Sequence, residues 1–210
     1  MDNSLHMTRP TALARTRGAH RFEVFSPKLK RRLTFDRRCA VDQWTLLESD
    51  PAVRAFCERP GVIQFGGQRF LADFHVCYAE RQDLLLLPDP VAVKVGKPHA
   101  DLDVSAMTVR LLQPADLAAS RVWIDNWQRM LPCLTATRGL VPPSLLDAIE
   151  RFVATAQPLL AIEREFSTGD PILARAAAFA LLHAGRIGAP ELRTTPLSWL
   201  TRFTAAEALS

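Results

Sequence analysis

Short apolar runs separated by turn residues occupy residues 53–95 and predict a sheet, whereas the rest of the chain reads as helical or basic. Residues 62–65 are one such run. Gly66 and Gly67 supply the positive φ of a two-residue turn, and residues 69–78 return as a second strand, which together predict a hairpin. Along the returning strand Leu71, Asp73, His75 and Cys77 share one face, and Phe70, Ala72, Phe74, Val76 and Tyr78 share the other. Asp73 is therefore expected as a carboxylate in the middle of an apolar strand. Residues 84–87 predict a third strand, broken by Pro88, Asp89 and Pro90. Residues 91–95 form a further extended segment containing Lys94.

Elsewhere the apolar period is helical. Residues 36–47 place Cys39, Ala40, Gln43, Leu46 and Leu47 on one face, extended by Val41 and Trp44; Asp36 is expected as the cap, and Ser49, Asp50 and Pro51 end the helix. Residues 52–58 read as a short helix or turn. Residues 105–112 read as a strand or a helix start, and residues 114–117 as a turn. Residues 121–131 carry a stripe of Val122, Trp123, Trp127, Met130 and Leu131, whose spacing is accounted for by packing. Beyond Pro142 and Pro143 come three helices: residues 144–157 with Ser144 as cap, residues 159–166, and an alanine-rich one over 172–184 closed by Gly185. Residues 186–200 read as a short strand or wing.

A chain of 210 residues, 48% hydrophobic and 23% charged, is long enough for one large or two small globular domains. No apolar run approaches the ~20 residues needed to span a bilayer and no secretory signal leads the chain, so a cytoplasmic location is expected. Cys39, Cys57, Cys77 and Cys133 are widely spaced in apolar surroundings and are expected as unpaired, mostly buried thiols, without a zinc pattern. The net charge of +4 is concentrated at the front, where residues 1–38 hold ten Lys or Arg against three acids. Such an arm suits a polyanion, through counterion release, and equally suits a solvated tail. Residues 26–32 are the part that Phe22, Val24, Phe25, Leu33 and Phe35 could anchor to a fold. The DNA-binding candidates are Lys28, Lys30, Arg31, Arg32, Arg37 and Arg38.

An acid within a strand and a lysine on the next extended segment together suit metal-dependent phosphodiester cleavage, the acid holding a cation and the lysine serving the attacking water and the phosphate charge. The same two residues equally suit a buried aspartate satisfied by backbone donors and an edge-strand lysine that blocks sheet pairing. His75 reads as a structural histidine, with ligation or proton transfer as the alternative.

The order of a basic lead, a helix running into Asp50, Pro51, Ala52 and Val53, the segment from Phe56 to Pro60, and Ala72-Asp73-Phe74 resembles the TnsA-like endonucleases of heteromeric transposases over roughly residues 20–95. The resemblance implies an α+β fold: a restriction-endonuclease-like mixed sheet with flanking helices over 21–135, after a flexible basic arm over 1–20. Residues 136–210 would be a small helical, winged-helix-like domain, matched by Leu181-Leu182-His183-Ala184-Gly185-Arg186-Ile187 and Pro196-Leu197-Ser198-Trp199-Leu200-Thr201. It implies a DNA-transposition endonuclease subunit with Asp73 and Lys94 catalytic, Asp73 and Asp36 holding Mg²⁺, and DNA and a transposase or regulator subunit as partners. The sequence departs from the family where the helix glutamate falls at Ala40 and the acid or amide before the lysine falls at Ala92. Asp36, one turn earlier on the helix, is the substitute ligand, and a shorter register brings Asp89 in place of Ala92 and Lys94. The alternative is a non-catalytic DNA-binding and transposase-docking accessory protein of the same fold. The alanine-rich helix offers only Arg175 and His183 for base readout, so protein docking by that domain stands at least level with base readout. An unrelated α/β binding protein is the third reading.

Overall fold

A computed structural model describes residues 10–12, 20–88, 90, 92, 102 and 104–206 and is α+β, with helices and several mixed or antiparallel sheets. The chain divides into two compact units. The first is Met1–Leu47 with Ala52–Ala119, and the second is Glu48–Pro51 with Ser120–Ser210, so the division falls at Ser120, ahead of the boundary at 136 expected from the sequence.

The first unit opens with a hairpin, β1 (Phe22–Ser26) and β2 (Arg31–Phe35). Lys30 closes its turn at φ 53°. Alternation puts Leu33 and Phe35 inside and Arg32 outside, so the segment expected to be a basic arm is a strand pair. Helix α1 (Arg38–Ser49) follows. Its first turn closes on the Arg37 carbonyl, which receives the Ala40 and Val41 N–H groups, so Arg37 and not Asp36 holds the cap position. Strand β3 (Ala55–Glu58) replaces the short helix or turn expected there. Phe56, Cys57 and Glu58 are all buried, so the segment lacks the alternation that marks a strand with one solvent face.

The Gly66–Gly67 hairpin forms as expected, with both glycines at positive φ joining β4 (Val62–Phe65) and β5 (Gln68–Leu71). The returning strand does not continue through Asp73. A bend at Asp73 ends the hairpin, and β6 (Phe74–Cys77) begins a separate sheet with β3, β7 (Gln82–Leu86) and β8 (Thr108–Leu111). The order is β3-β6-β7-β8, antiparallel except for the parallel β7–β8 pair. Every residue of β6 is buried. On one face Phe74 meets Phe56 and Phe35, and Phe35 meets Trp44 of α1. On the other, Leu84 and Leu86 pack with Ile63 and Ala72 beneath Phe70, Leu102, Val104, Met107 and Val109. Each large side chain fully buried here contributes roughly 1.5–3 kcal/mol. Helix α2 (Pro114–Ala119) stands where a turn was expected.

In the second unit α3 (Arg121–Ala136) buries the expected stripe at Trp127, Met130 and Leu131, and α4 (Pro143–Phe152) starts with Pro143 at its first position rather than on a Ser144 cap. Residues past 152 leave the helix: β9 (Gln157–Pro158) is a short strand, then come α5 (Leu159–Phe166) and α6 (Ile172–His183). Gly185, at φ 71°, terminates α6, with Gly185 N–H on the Leu182 carbonyl and Arg186 N–H on that of Leu181. Strand β10 (Ile187–Gly188) leads into a loop with a 3₁₀ turn at Pro190–Arg193, and β11 (Arg202–Ala205) returns between β10 and β9. No helix among the described residues is long and apolar enough to cross a membrane.

Candidate functional site

Asp73 lies in the bend between β5 and β6, where the backbone is fixed on both sides: its N–H donates to Leu85 O and its carbonyl receives Arg59 N–H. The side chain is 10% exposed and points to the start of α1. One carboxylate oxygen is paired with the Arg37 guanidinium, and the other accepts the Leu87 N–H at 2.7 Å. Arg37 also donates to the Pro88 carbonyl at 3.3 Å. Burial pushes the Asp73 carboxyl up from the ordinary carboxylate range, against the pull of Arg37 and the Leu87 N–H, and nearby Asp36 raises it further.

The other expected metal ligand, Asp36, is exposed. Ala40 is buried at 5% and brings no donor. Ala92 makes an isolated bridge with Phe70. Lys94 and Asp89 lie outside the described residues. Among the described residues no three His, Cys, Asp or Glu side chains come together as a metal-binding group. His75 is buried at 5% with Nε2 2.8 Å from Gln82 Oε1, the structural role expected of it. None of the four cysteines is in a disulfide; two are buried and two half-buried, and burial pushes Cys39, Cys77 and Cys133 up.

The residues read as DNA-binding separate into two sets. Lys28 Nζ donates to the Leu47 carbonyl at 2.9 Å, in the last turn of α1, where a cation also suits the helix dipole. Arg31 forms a two-pronged pair with Glu58, 3% exposed, at 2.8 and 2.5 Å, and Arg37 is held by Asp73. These three turn inward. Lys30 and Arg32 are exposed, and Arg38 is exposed with a 3.1 Å contact to Asp42. The hairpin thus spends part of its positive charge on neutralising buried acids, which an alternating pattern with arginines at inward positions signals only once the strands are recognised.

In the second unit Asn126, 1% exposed, donates to the carbonyls of Leu192 and Thr195 at 2.8 and 2.9 Å and accepts Leu197 N–H at 2.7 Å. One side chain fixes the loop between β10 and β11. That loop ends in a tight turn in which Ser198 N–H reaches Thr201 Oγ1 at 2.9 Å, leaving Trp199 63% and Leu200 75% exposed. Helix α6 buries Ala174, Ala176, Ala177, Ala178, Phe179, Leu181 and Leu182, and its Arg175 is bound to Glu163 at 2.6 Å. No family model and no curated protein matches the chain.

Proposed function

We propose that the chain is a non-catalytic, DNA-binding relative of the TnsA-like nuclease subunits, serving as a transposase-docking accessory in DNA transposition. The observation that carries this reading is the state of Asp73. Both oxygens of the residue that would anchor Mg²⁺ are engaged, one by a guanidinium that already supplies the positive charge a cation would bring, and Ala40 offers no second carboxylate. Among the described residues the side chains around Asp73 do not fit a divalent cation, so no cleavage step is assigned to them.

Binding to the duplex backbone is supported by the exposed Lys30, Arg32 and Arg38 on and just after the β1–β2 hairpin. A mixed sheet with α1 against it supports the restriction-endonuclease-like reading of the first unit. The order helix, helix, strand, helix, helix, strand, loop, strand, with β11 between β10 and β9, supports a winged-helix reading of the second. Burial of α6 removes the helix that would read bases in such a domain, and the tight turn showing Trp199 and Leu200 suits a protein partner instead.

The test is calorimetric titration of Mn²⁺ into wild type and Asp73→Ala, with nicking of supercoiled plasmid measured in parallel. Neither protein is expected to bind Mn²⁺ saturably or to nick. Saturable binding or nicking that disappears in Asp73→Ala would reverse the reading in favour of an active endonuclease.

A further inference from the structure

At the end of the main sheet away from Asp73, one carboxylate orients two exposed arginines. Asp83, in β7, is 2% exposed, and its neighbours are Arg81 at 3.6 Å and Arg110 at 3.5 Å, whose side chains are 62% and 51% exposed. The register explains why they meet. Asp83 lies beside Thr108 in the parallel β7–β8 pair, so Arg110, two residues further along β8, is on the same face as Asp83. Arg81 immediately precedes β7, in the turn closed by Tyr78 N–H on the Arg81 carbonyl at 2.9 Å, and its guanidinium lies 4.3 Å from the Tyr78 ring centroid.

A buried acid needs one counter-charge, and Asp83 has two. The Arg31–Glu58 pair shows what a closed fork looks like in this chain, with contacts of 2.8 and 2.5 Å. The looser contacts to Asp83 aim both guanidiniums without using up their donors, and the surplus positive charge faces solvent. Arg54 stands at the same end of the sheet: its N–H is on the Cys77 carbonyl at 2.9 Å and its side chain is exposed. Four strands at ~4.8 Å spacing spread these arginines over roughly 14 Å, too wide for one phosphate and suited to successive phosphates of a chain. Glu80, exposed in the same turn, is the acid that opposes such a ligand.

We propose that Arg81 and Arg110, aimed by Asp83 and flanked by Arg54, form a second phosphate-binding site for a nucleic-acid backbone, separate from the hairpin. The identity of the polyanion rests on the DNA-binding reading above, and the arrangement of the arginines does not.

The test is fluorescence anisotropy with a 30-base-pair duplex of arbitrary sequence across a salt series, on the full chain. Two lost phosphate contacts lower the slope of log affinity against log salt by about two and weaken binding about ten- to a hundredfold at 100 mM salt, the result expected for Arg81→Gln/Arg110→Gln. Glu80→Gln, an exposed turn substitution that leaves Asp83 and its partners in place, is expected to tighten binding about two- to fivefold. Should the double variant lose its fold because Asp83 is stranded, Glu80→Gln decides alone. Wild-type binding that is weakened by Lys30→Gln/Arg32→Gln, yet unchanged in affinity and slope by the sheet-end variants, overturns this inference and spares the DNA-binding reading. No duplex binding by wild type overturns both.

Discussion

Arg37→Met tests the idea that a guanidinium has taken over the cation's place beside Asp73. The substitution removes the guanidinium and leaves an unbranched apolar stem, so a carboxylate only 10% exposed keeps, of its contacts with Arg37 and Leu87, the one with the Leu87 N–H. Opposite charges ~4 Å apart at an effective dielectric of ~20 attract by about 4 kcal/mol. Arg37 is 24% exposed, so solvent screening reduces this to about 2–3 kcal/mol of lost stability at pH 7.5. The loss depends on pH with a fixed sign. The Asp73 carboxyl is already raised in the folded chain by burial, and losing Arg37 raises it further. A raised carboxyl keeps its proton longer folded than unfolded, so stability is retained below the unfolded value and lost as pH rises through the folded one. The penalty for Arg37→Met is therefore expected to be smaller at pH 5.0 than at pH 7.5. Urea unfolding of both proteins at the two pH values measures it, with amide exchange in peptides from β6 and β7 reporting on the first unit. An equal penalty at both pH values would refute the reasoning, because a purely steric loss has no reason to titrate with Asp73.

Asn126→Ala removes three backbone contacts from a residue 1% exposed and is expected to cost about 2–4 kcal/mol, with amide exchange rising over residues 192–197; unchanged protection there would deny Asn126 its role in holding the loop. Gly185→Ala combines φ 71° with a Cβ that would lie 2.7 Å from Pro51 Cβ, so a loss of about 2 kcal/mol or more is expected in thermal unfolding, whereas Gly139→Ala, also at positive φ (78°) but with open space around it, should lose only about 1 kcal/mol.

What could be read along the chain was whatever one residue or one short period decides. Gly66 and Gly67 dictate a hairpin turn because both positions take positive φ, and Gly185 ends α6 for the same reason. The leucine run at 84–87 reads as a strand because a strand buried on both faces has no polar positions to interrupt it. The failures share a cause as well. In β1 and β2 the alternation is present, Leu33 and Phe35 inward with Arg32 and Thr34 at the alternate positions, but Arg31 also points inward, and its position makes sense only beside Glu58, 27 residues away. The β3 segment was missed because Phe56, Cys57 and Glu58 are all covered, the last of them only by virtue of Arg31. Period two cannot be seen where pairing with a distant charge has permitted a polar residue to be buried.

Asp73 shows the same limit at the candidate site. Its type and its surroundings of apolar residues identified it as unusual, and the family pattern gave it a cation to hold. Neither could indicate that Arg37, three residues before Ala40, would reach it, because that contact depends on the bend that separates β5 from β6 and turns the carboxylate toward the start of α1. With an acid at position 40, a guanidinium at the cap position and a carboxylate at 73 would compete for one another and for any cation. With alanine there, a buried Asp73 has to be neutralised by something else, and a fixed arginine does so without a dissociable ion. Arg37 thus closes Asp73 with the chain's own side chain, and Ala40, where the resemblance expects a helix carboxylate, brings no donor that would compete for it.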